Sequence, residues 1–193
     1  MTKDEIVKSQ IVNKGQELFQ QYGLKKTTMD EIAAACGKGK STLYYYFKNK
    51  EEIFDAVIKK ELINLRTIVK KQVDEEKSLK NKVSVYISAF HKEVISKANL
   101  YRIVSLEFIS EATKEAHFKE IMQFEKAYLL RMFEDSYDAC EFILIEKKDL
   151  PWFSEIMIAA FLGIVRYSIE IDHGFDQEKL DKAIDLLLPN LFW

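Results

Sequence analysis

Apolar residues recur along this chain every three or four positions, which is the spacing that places them on one face of an α-helix. In the first stretch Ile11 and Leu18 share such a face, so the pattern predicts a helix from about Lys3 to Tyr22. Gly23 follows, and glycine most readily takes the left-handed conformation that ends many helices. The first predicted element is therefore an amphipathic helix of about twenty residues.

Two short helices are predicted next. Thr28 and Glu31 form a capping-box pair, which predicts the start of the first of them. Two glycines then interrupt the apolar pattern. A third helix fits residues 40–47, where Leu43 and Phe47 lie four positions apart and can be buried together.

The rest of the chain is also predicted to form helices. Asn49 and Glu52 can cap a fourth helix, whose apolar stripe begins at Phe54 and extends past Val69. A short apolar run at residues 142–145 could form a strand in isolation, but it has no evident partner strand. The fold class expected is all-α, with further helices near residues 78–97, 100–110, 115–137, 151–172 and 177–188.

Composition agrees with a helical protein that has a real core. The 193 residues are 48% hydrophobic and 31% charged, and only 6 Gly and 2 Pro are present, which is few for the turns of a many-stranded β protein. Cys36 and Cys140 give neither a disulfide framework nor a paired metal spacing. We expect no cofactor. No signal peptide or uninterrupted membrane-length apolar run is evident, so the expected location is the cytoplasm, without a membrane partner.

Positive charge is concentrated near the N-terminus. Residues 1–50 hold 9 Lys and 5 acidic residues, a net of +4, although the whole chain carries −2. The segment from Lys38 to Lys50 contains four lysines and no acid. This asymmetry favours an anionic partner at that end, with a solvated lysine-rich loop as the alternative.

The second and third predicted helices, joined by a glycine-containing turn, form a helix-turn-helix pattern. The second helix of such a pair enters the DNA major groove, so it needs an apolar inner face and polar outer groups. Leu43 and Phe47 suit the inner face. The groups expected to face phosphates and base edges are those of Lys40, Ser41, Thr42, Tyr44 and Tyr45.

Three consecutive tyrosines cannot all be buried, because successive helical residues are turned by about 100°. Tyr46 is the one that can share the packing face. Lys50 begins the next helix, whose N-terminal amides favour a phosphate oxygen. Thr28 also lies at the start of a helix, so it can contact a phosphate, and helix capping alone is the alternative role. Lys38 can add a further phosphate contact.

Residues 42–51, Thr-Leu-Tyr-Tyr-Tyr-Phe-Lys-Asn-Lys-Glu, resemble the DNA-binding signature of the TetR family of transcriptional regulators. The similarity is dense over about residues 6–58, and chain length and helical pattern agree with it. The resemblance implies DNA contacts from Thr28, Lys40, Ser41, Thr42, Tyr44, Tyr45, Tyr46 and Lys50. Three positions depart from the family pattern: Lys38 and Gly39 replace an apolar residue and a capping hydroxyl, and Ser41 stands where Gly is common.

The resemblance also implies residues 1–50 as a DNA-binding domain and residues 51–193 as a helical regulatory and dimerisation domain. The segment 151–172 is apolar on several sides, which indicates burial inside the subunit or against a second one. TetR-like proteins dimerise through their last two long helices and release a palindromic operator when a small molecule binds. We therefore expect a homodimer interface at Ala159, Ala160, Gly163 and Leu187, and an effector pocket among Phe90, His91, Tyr101, Phe108, Phe124, Tyr128 and Met132.

Other functional classes have less support in the sequence. Gly37 to Ser41 ends like a phosphate-binding loop but lacks its first glycine and its preceding strand. The three histidines are isolated, no nucleophile pattern occurs, and no enzyme is expected. The leading prediction is a ligand-responsive repressor. The alternatives are a regulator gated by a protein partner and a helical interaction or lipid-carrier module.

Overall fold

The structure, a computed structural model, describes residues 2–98, 100–101, 111–137, 145–171 and 176–187, with the backbone alone at 111–118 and 187. Over these ranges the chain forms helices and no strand, so the all-α prediction is confirmed. The principal helices are α1 (Lys3–Tyr22), α2 (Met29–Ala35), α3 (Lys40–Tyr46), α4 (Lys50–Asp74), α5 (Leu79–Ser96), α6 (Glu111–Tyr137), α7 (Leu150–Glu170) and α8 (Gln177–Leu187).

Local sequence explains most helix ends. The first helix has the predicted bounds, and a capping box formed by Thr2 and Glu5 starts it. The third helix ends one residue before the prediction, because Phe47 takes an extended conformation with φ −142° and ψ 128°. Pro151 lies in the first turn of α7, where its missing N–H leaves no hydrogen bond unmade. The predicted helix at 100–110 and the apolar run at 142–145 lie largely outside the described residues.

The chain divides into two units, of which the first comprises Met1–Asn64 and Lys97–Ser110. Its core joins α1, α2, α3 and the beginning of α4. The rings of Phe19 and Phe54 meet edge to face, with their centroids 5.4 Å apart. The other fully buried residues of this core include Ile11, Ile32, Leu43, Ile53 and Ile58.

Polar contacts also tie α1 to α4 within the first unit. Glu61 is buried, and its carboxylate accepts a 3.0 Å hydrogen bond from the Gln16 amide. The Lys97 ammonium lies 2.6 Å from the other Glu61 oxygen. Lys60 donates to Asn13 and to Gln16. The buried carboxylate is thereby held by an amide and a cation, as a charge in this position requires.

The second unit comprises Leu65–Ser96 and Glu111–Trp193. Tyr86 and Phe90 of α5 pack against Phe161 of α7, with ring centroids 5.7 and 5.1 Å from that of Phe161. Phe133 of α6 packs against Phe153 of α7. By length and composition alone, the segment Lys147–Glu170 could also cross a membrane, and one face of its helix is buried in this core.

Candidate nucleic-acid interface and internal cavity

The predicted capping box at the start of α2 is present. The Thr28 hydroxyl accepts a hydrogen bond from the Glu31 backbone N–H at 3.3 Å and donates to the Glu31 carboxylate at 2.8 Å. The Thr28 side chain is exposed. Its observed role is the cap, and the geometry leaves it accessible to a phosphate as well.

The turn between α2 and α3 needs a glycine at only one position. Gly37 has φ +61°, a left-handed conformation that other residues rarely adopt. Gly39 is the N-cap of α3 and makes no side-chain capping bond. The missing hydroxyl predicted from the sequence therefore leaves the first turn of α3 without a side-chain cap. Lys38, between the two glycines, is exposed.

The third helix buries one face and exposes the other. Leu43 is fully buried and Phe47 nearly so, and these two side chains anchor the helix in the core of the first unit, as predicted. The outward side of α3, called the reading face below, carries the side chains predicted to contact DNA. Tyr45 is 77% exposed and Tyr44 is 46% exposed. Lys40 and Ser41 are also exposed, and Thr42 is half-buried.

Tyr46 is turned away from this face. Its hydroxyl donates a 2.7 Å hydrogen bond to the Asp4 carboxylate at the start of α1. This bond is the main reason that the pKa of the Tyr46 phenol is raised. The finding fits the sequence expectation that Tyr46 shares the packing side, and a DNA contact from it stays a prediction.

Lys50 has a structural role that the sequence did not indicate. Its ammonium donates to three backbone carbonyls of the loop between α1 and α2, those of Leu24, Lys25 and Thr27, at 2.8 to 3.2 Å. All three of its N–H donors therefore have acceptors inside the protein. The side chain holds this loop in place, and the predicted phosphate contact would need it to give up at least one of these bonds.

An open groove runs between the beginning of α2, the outer face of α3 and the beginning of α4. Its volume is about 380 Å³. Basic and hydroxyl-bearing residues predominate in its wall, together with the acids Asp30 and Glu51. Of the predicted contact residues, the groove brings together Thr28, Lys40, Tyr44 and Lys50. It adds Lys48 and Asn49, for which no DNA contact was predicted.

The second unit contains a smaller cavity of about 140 Å³. Three of the predicted pocket residues line it, namely Phe90, Phe124 and Tyr128. The remaining lining residues were not predicted: Arg66, Thr67, Val69, Lys70, Tyr86 and Glu125.

The remaining predicted pocket residues that the structure describes do not line this cavity, and a role for them in effector binding stays a prediction. His91 is buried, with Nε2 3.1 Å from the Ser168 hydroxyl of α7. Met132 is buried in α6, and Tyr101 belongs to the first unit. Phe108 lies outside the described residues. Large side chains at helical spacing are more often part of the core than of a ligand wall, and both His91 and Met132 are buried.

Buried polar groups form one end of the cavity. Nε of Arg66 lies 3.2 Å from one oxygen of Glu125, and the Tyr86 hydroxyl donates to the other oxygen at 2.9 Å. Burial raises the pKa of Glu125, although the hydrogen bonds from Tyr86 and Arg66 partly oppose it. Burial also raises the pKa of Tyr128 to about 12. One signal could have found Glu125: it lies in register with the apolar residues Leu129 and Met132 of α6, where a carboxylate needs a buried partner.

An apolar strip on α7 faces outward from the second unit. Trp152 is 54% exposed and Ile156 is 53% exposed. Ala159, Ala160 and Gly163, three of the predicted interface residues, are exposed on the same helix. The side chain of Leu187 lies outside the described residues. Exposed apolar residues at helical spacing leave this strip available to a second helix.

Known proteins resemble this chain both in the helix-turn-helix segment and over nearly its whole length. Residues 11–57, which include α2 and α3, match the family described as bacterial regulatory proteins of the tetR family. An uncharacterised HTH-type transcriptional regulator of Bacillus subtilis, YhgD, is 27% identical over 92% of this chain and 87% of its own length. The probable acrEF/envCD operon repressor of Escherichia coli is 25% identical over 98% of this chain and 88% of its own.

A solved structure has the same fold. The transcriptional regulator FadR of Bacillus subtilis, solved in complex with stearoyl-CoA, superposes with a TM-score of 0.74 and 22% identity. The match covers 93% of this chain and 96% of that one. Fold similarity therefore extends well beyond the helix-turn-helix and includes the second unit.

Proposed function

The chain belongs to the TetR family of transcriptional regulators, and from this premise we propose that it is a dimeric cytoplasmic repressor released from a palindromic operator by a small molecule. The observation that carries the proposal is the outward face of α3, where Lys40, Ser41, Tyr44 and Tyr45 are exposed while Leu43 is buried. This helix can enter a major groove without any change in the core of the first unit.

Each residue of the interface has a proposed role. Tyr44, Tyr45, Ser41 and Thr42 offer hydroxyl donors to base edges and phosphates, and Lys40 and Lys38 offer positive charge. Lys50 positions the loop that carries Thr28. The domain assignment, 1–50 for DNA binding and 51–193 for regulation and dimerisation, is part of the same proposal.

The dimer is proposed to form on the apolar strip of α7. Ala159, Ala160 and Gly163 have small side chains, so two helices can approach closely there. A two-fold symmetric dimer presents two copies of α3 to two half-sites, one helical turn or a multiple of it apart.

Release by a ligand is proposed to act through α4. This helix begins at Lys50, beside the reading face, and its later residues Arg66, Val69 and Lys70 line the cavity. A ligand can weaken DNA binding only if it prefers the conformation that does not fit the operator. A shift of α4 on ligand binding would supply that difference between the two conformations.

Selection from a random-sequence DNA library tests this function without knowledge of the operator. The full chain should enrich a single inverted repeat, because two identical reading helices recognise two identical half-sites. The Tyr44→Ala/Tyr45→Ala variant should enrich nothing, and Tyr22→Ala, an exposed tyrosine at the end of α1, should behave as the wild type. Failure of the wild-type protein to enrich any repeated element would contradict the proposal.

A further inference from the structure

Two exposed lysines line the open groove beside α3, and their surroundings differ. Nζ of Lys40 lies 2.8 and 3.0 Å from the two carboxylate oxygens of Asp30 on α2. Lys48 lies just before the beginning of α4, and its ammonium has no acidic partner among the described residues. The protein therefore holds one of these two cations in place and leaves the other one free to turn.

The Asp30 carboxylate makes the Lys40 ammonium a poor contact for the DNA backbone. A phosphate oxygen bonded to this ammonium would lie close to a second negative charge, and like charges at such short range repel each other. The edge of a base carries no net charge, so it can accept a hydrogen bond from the same ammonium without this repulsion. The ion pair therefore favours a base over a phosphate as the partner of Lys40.

The position of Lys40 along α3 favours the same partner. Lys40 is the first residue of α3, and in helix-turn-helix proteins the N-terminal residues of the second helix contact base edges. Gly39, directly before it, would place a Cβ no closer than 3.8 Å to its nearest neighbour, the Ser41 hydroxyl. Packing therefore does not require a glycine here, and its missing side chain leaves room for the close approach of a base pair.

The donors of Lys40 select one base among the four. An ammonium has three N–H donors and no acceptor. Both Asp30 oxygens belong to one carboxylate and lie on one side of Nζ, so the donors on the other side remain available. In the major groove guanine presents two neighbouring acceptors, N7 and O6, whereas adenine places an amino donor beside its N7. An ammonium held in place therefore distinguishes guanine from adenine.

We propose that Lys40 reads one guanine in each operator half-site by donating to its N7 and O6 atoms, and that Asp30 is the positioning residue that keeps this ammonium from the DNA backbone. The inference rests on the proposed function, because it names the base that the reading face recognises. Tyr44, one helical turn after Lys40, and Lys48 are left to contact phosphates, which position the protein without reading sequence.

Modified operators test the base contact with the wild-type protein. In the operator enriched from the random library, each guanine is replaced in turn, in both half-sites, by adenine or by 7-deazaguanine, which pairs normally but lacks the N7 acceptor. At one guanine per half-site, adenine should lower the affinity about tenfold per half-site, the effect of one good base contact, and 7-deazaguanine should cause a smaller loss. Tolerance of both replacements at every guanine, or an operator without guanine, would overturn the proposal.

Variants of the two groove lysines test which side chain makes this contact. Lys40→Met should bind the guanine and adenine operators equally, and Lys40→Arg, which also offers two donors, should retain the preference for guanine. Lys48→Met is the matched control, because it should weaken binding to both operators by the same factor and lower the salt slope by about one counterion per half-site. A guanine preference that survives in Lys40→Met would overturn the assignment. The 7-deazaguanine experiment decides the question even if a variant does not fold.

Asp30→Asn tests the positioning role. The released ammonium can turn to a phosphate, so both operators should bind more tightly while the preference for guanine falls from about tenfold to about twofold. A merely structural role of the ion pair would lower the melting temperature and leave the preference intact. An unchanged preference in Asp30→Asn would therefore contradict the positioning role.

The same measurements separate this inference from the function on which it rests. An enriched inverted repeat in which no guanine depends on Lys40 would leave the regulator standing and overturn the guanine contact. Failure of the wild-type protein to enrich any repeat would overturn both. An enriched repeat with one Lys40-dependent guanine in each half-site is the result expected.

Discussion

Nζ of Lys40 lies 2.8 Å from Oδ1 of Asp30, so the first lysine of the reading helix is paired with an acid from α2. The hydrogen bond to Asp30 raises the pKa of the Lys40 ammonium. Both side chains are exposed, so the pair contributes little to stability. Its main consequence concerns DNA, because a carboxylate beside the reading face repels phosphate.

Replacing that carboxylate should strengthen DNA binding. In Asp30→Asn the Lys40 ammonium is freed for a phosphate, and we expect several-fold tighter operator binding. The slope of log K against log salt should steepen by about one counterion. Glu17→Gln, which breaks the similar pair with Lys14 on α1, is the control for the loss of one acid. If the two variants strengthened operator binding equally, the gain would come only from the lost negative charge, which would contradict a specific role for the Asp30–Lys40 pair.

Lys50→Met should lower stability as well as DNA affinity. The substitution leaves three carbonyls of the α1–α2 loop without their donor, and the cost should be about 1–2 kcal/mol in free energy of unfolding. Urea denaturation monitored by circular dichroism measures it. Lys48→Met removes an exposed charge nearby and should leave stability unchanged. A stable Lys50→Met protein would show that the loop does not depend on this ammonium.

Gly15→Ala should destabilise the first unit although alanine is the better helix former. A Cβ at this position would lie 2.7 Å from Cγ2 of Ile53, a branch that cannot move far from the α4 backbone. Overpacking of this kind costs about 1–3 kcal/mol, more than the ~1 kcal/mol gained in helix propensity. Ile53→Leu removes the methyl branch, so the double variant should recover part of the loss in thermal melts. Additive effects of the two changes would contradict the close approach.

The proposed dimer can be broken without damage to the protomer. Ile156→Glu places a charge on the apolar strip of α7 where the side chain is already exposed, so the fold should be retained. Analytical ultracentrifugation should then show a shift from dimer to monomer at micromolar concentration. Gln123→Glu on α6 should stay dimeric. A dimer that survives Ile156→Glu would place the interface on another surface.

Local signals in the sequence were enough to predict the helix-turn-helix formed by α2 and α3. The Thr28–Glu31 cap, the glycine turn and the four-residue spacing of Leu43 and Phe47 are all short-range features, and the structure contains each of them. These features position α3, so its exposed face followed from the sequence.

Contacts between distant segments could not be predicted in the same way. The Tyr46 phenol meets Asp4 and the Lys50 ammonium meets the loop at Leu24 only after the helices pack. The cavity likewise depends on Arg66 and Glu125 approaching from two different helices. Periodicity ranks His91 and Phe90 alike as apolar-face residues, and only packing separates the one that lines a cavity from the one that does not.

Fluorescence anisotropy on a labelled fragment of the enriched operator, at several salt concentrations, tests most directly whether α3 reads DNA. The wild-type protein and Tyr22→Ala should bind equally, with an affinity that falls steeply as salt rises. The Tyr44→Ala/Tyr45→Ala variant should bind at least tenfold more weakly while its melting temperature is unchanged. Wild-type affinity in that variant, or binding that does not respond to salt, would contradict the assignment of this helix.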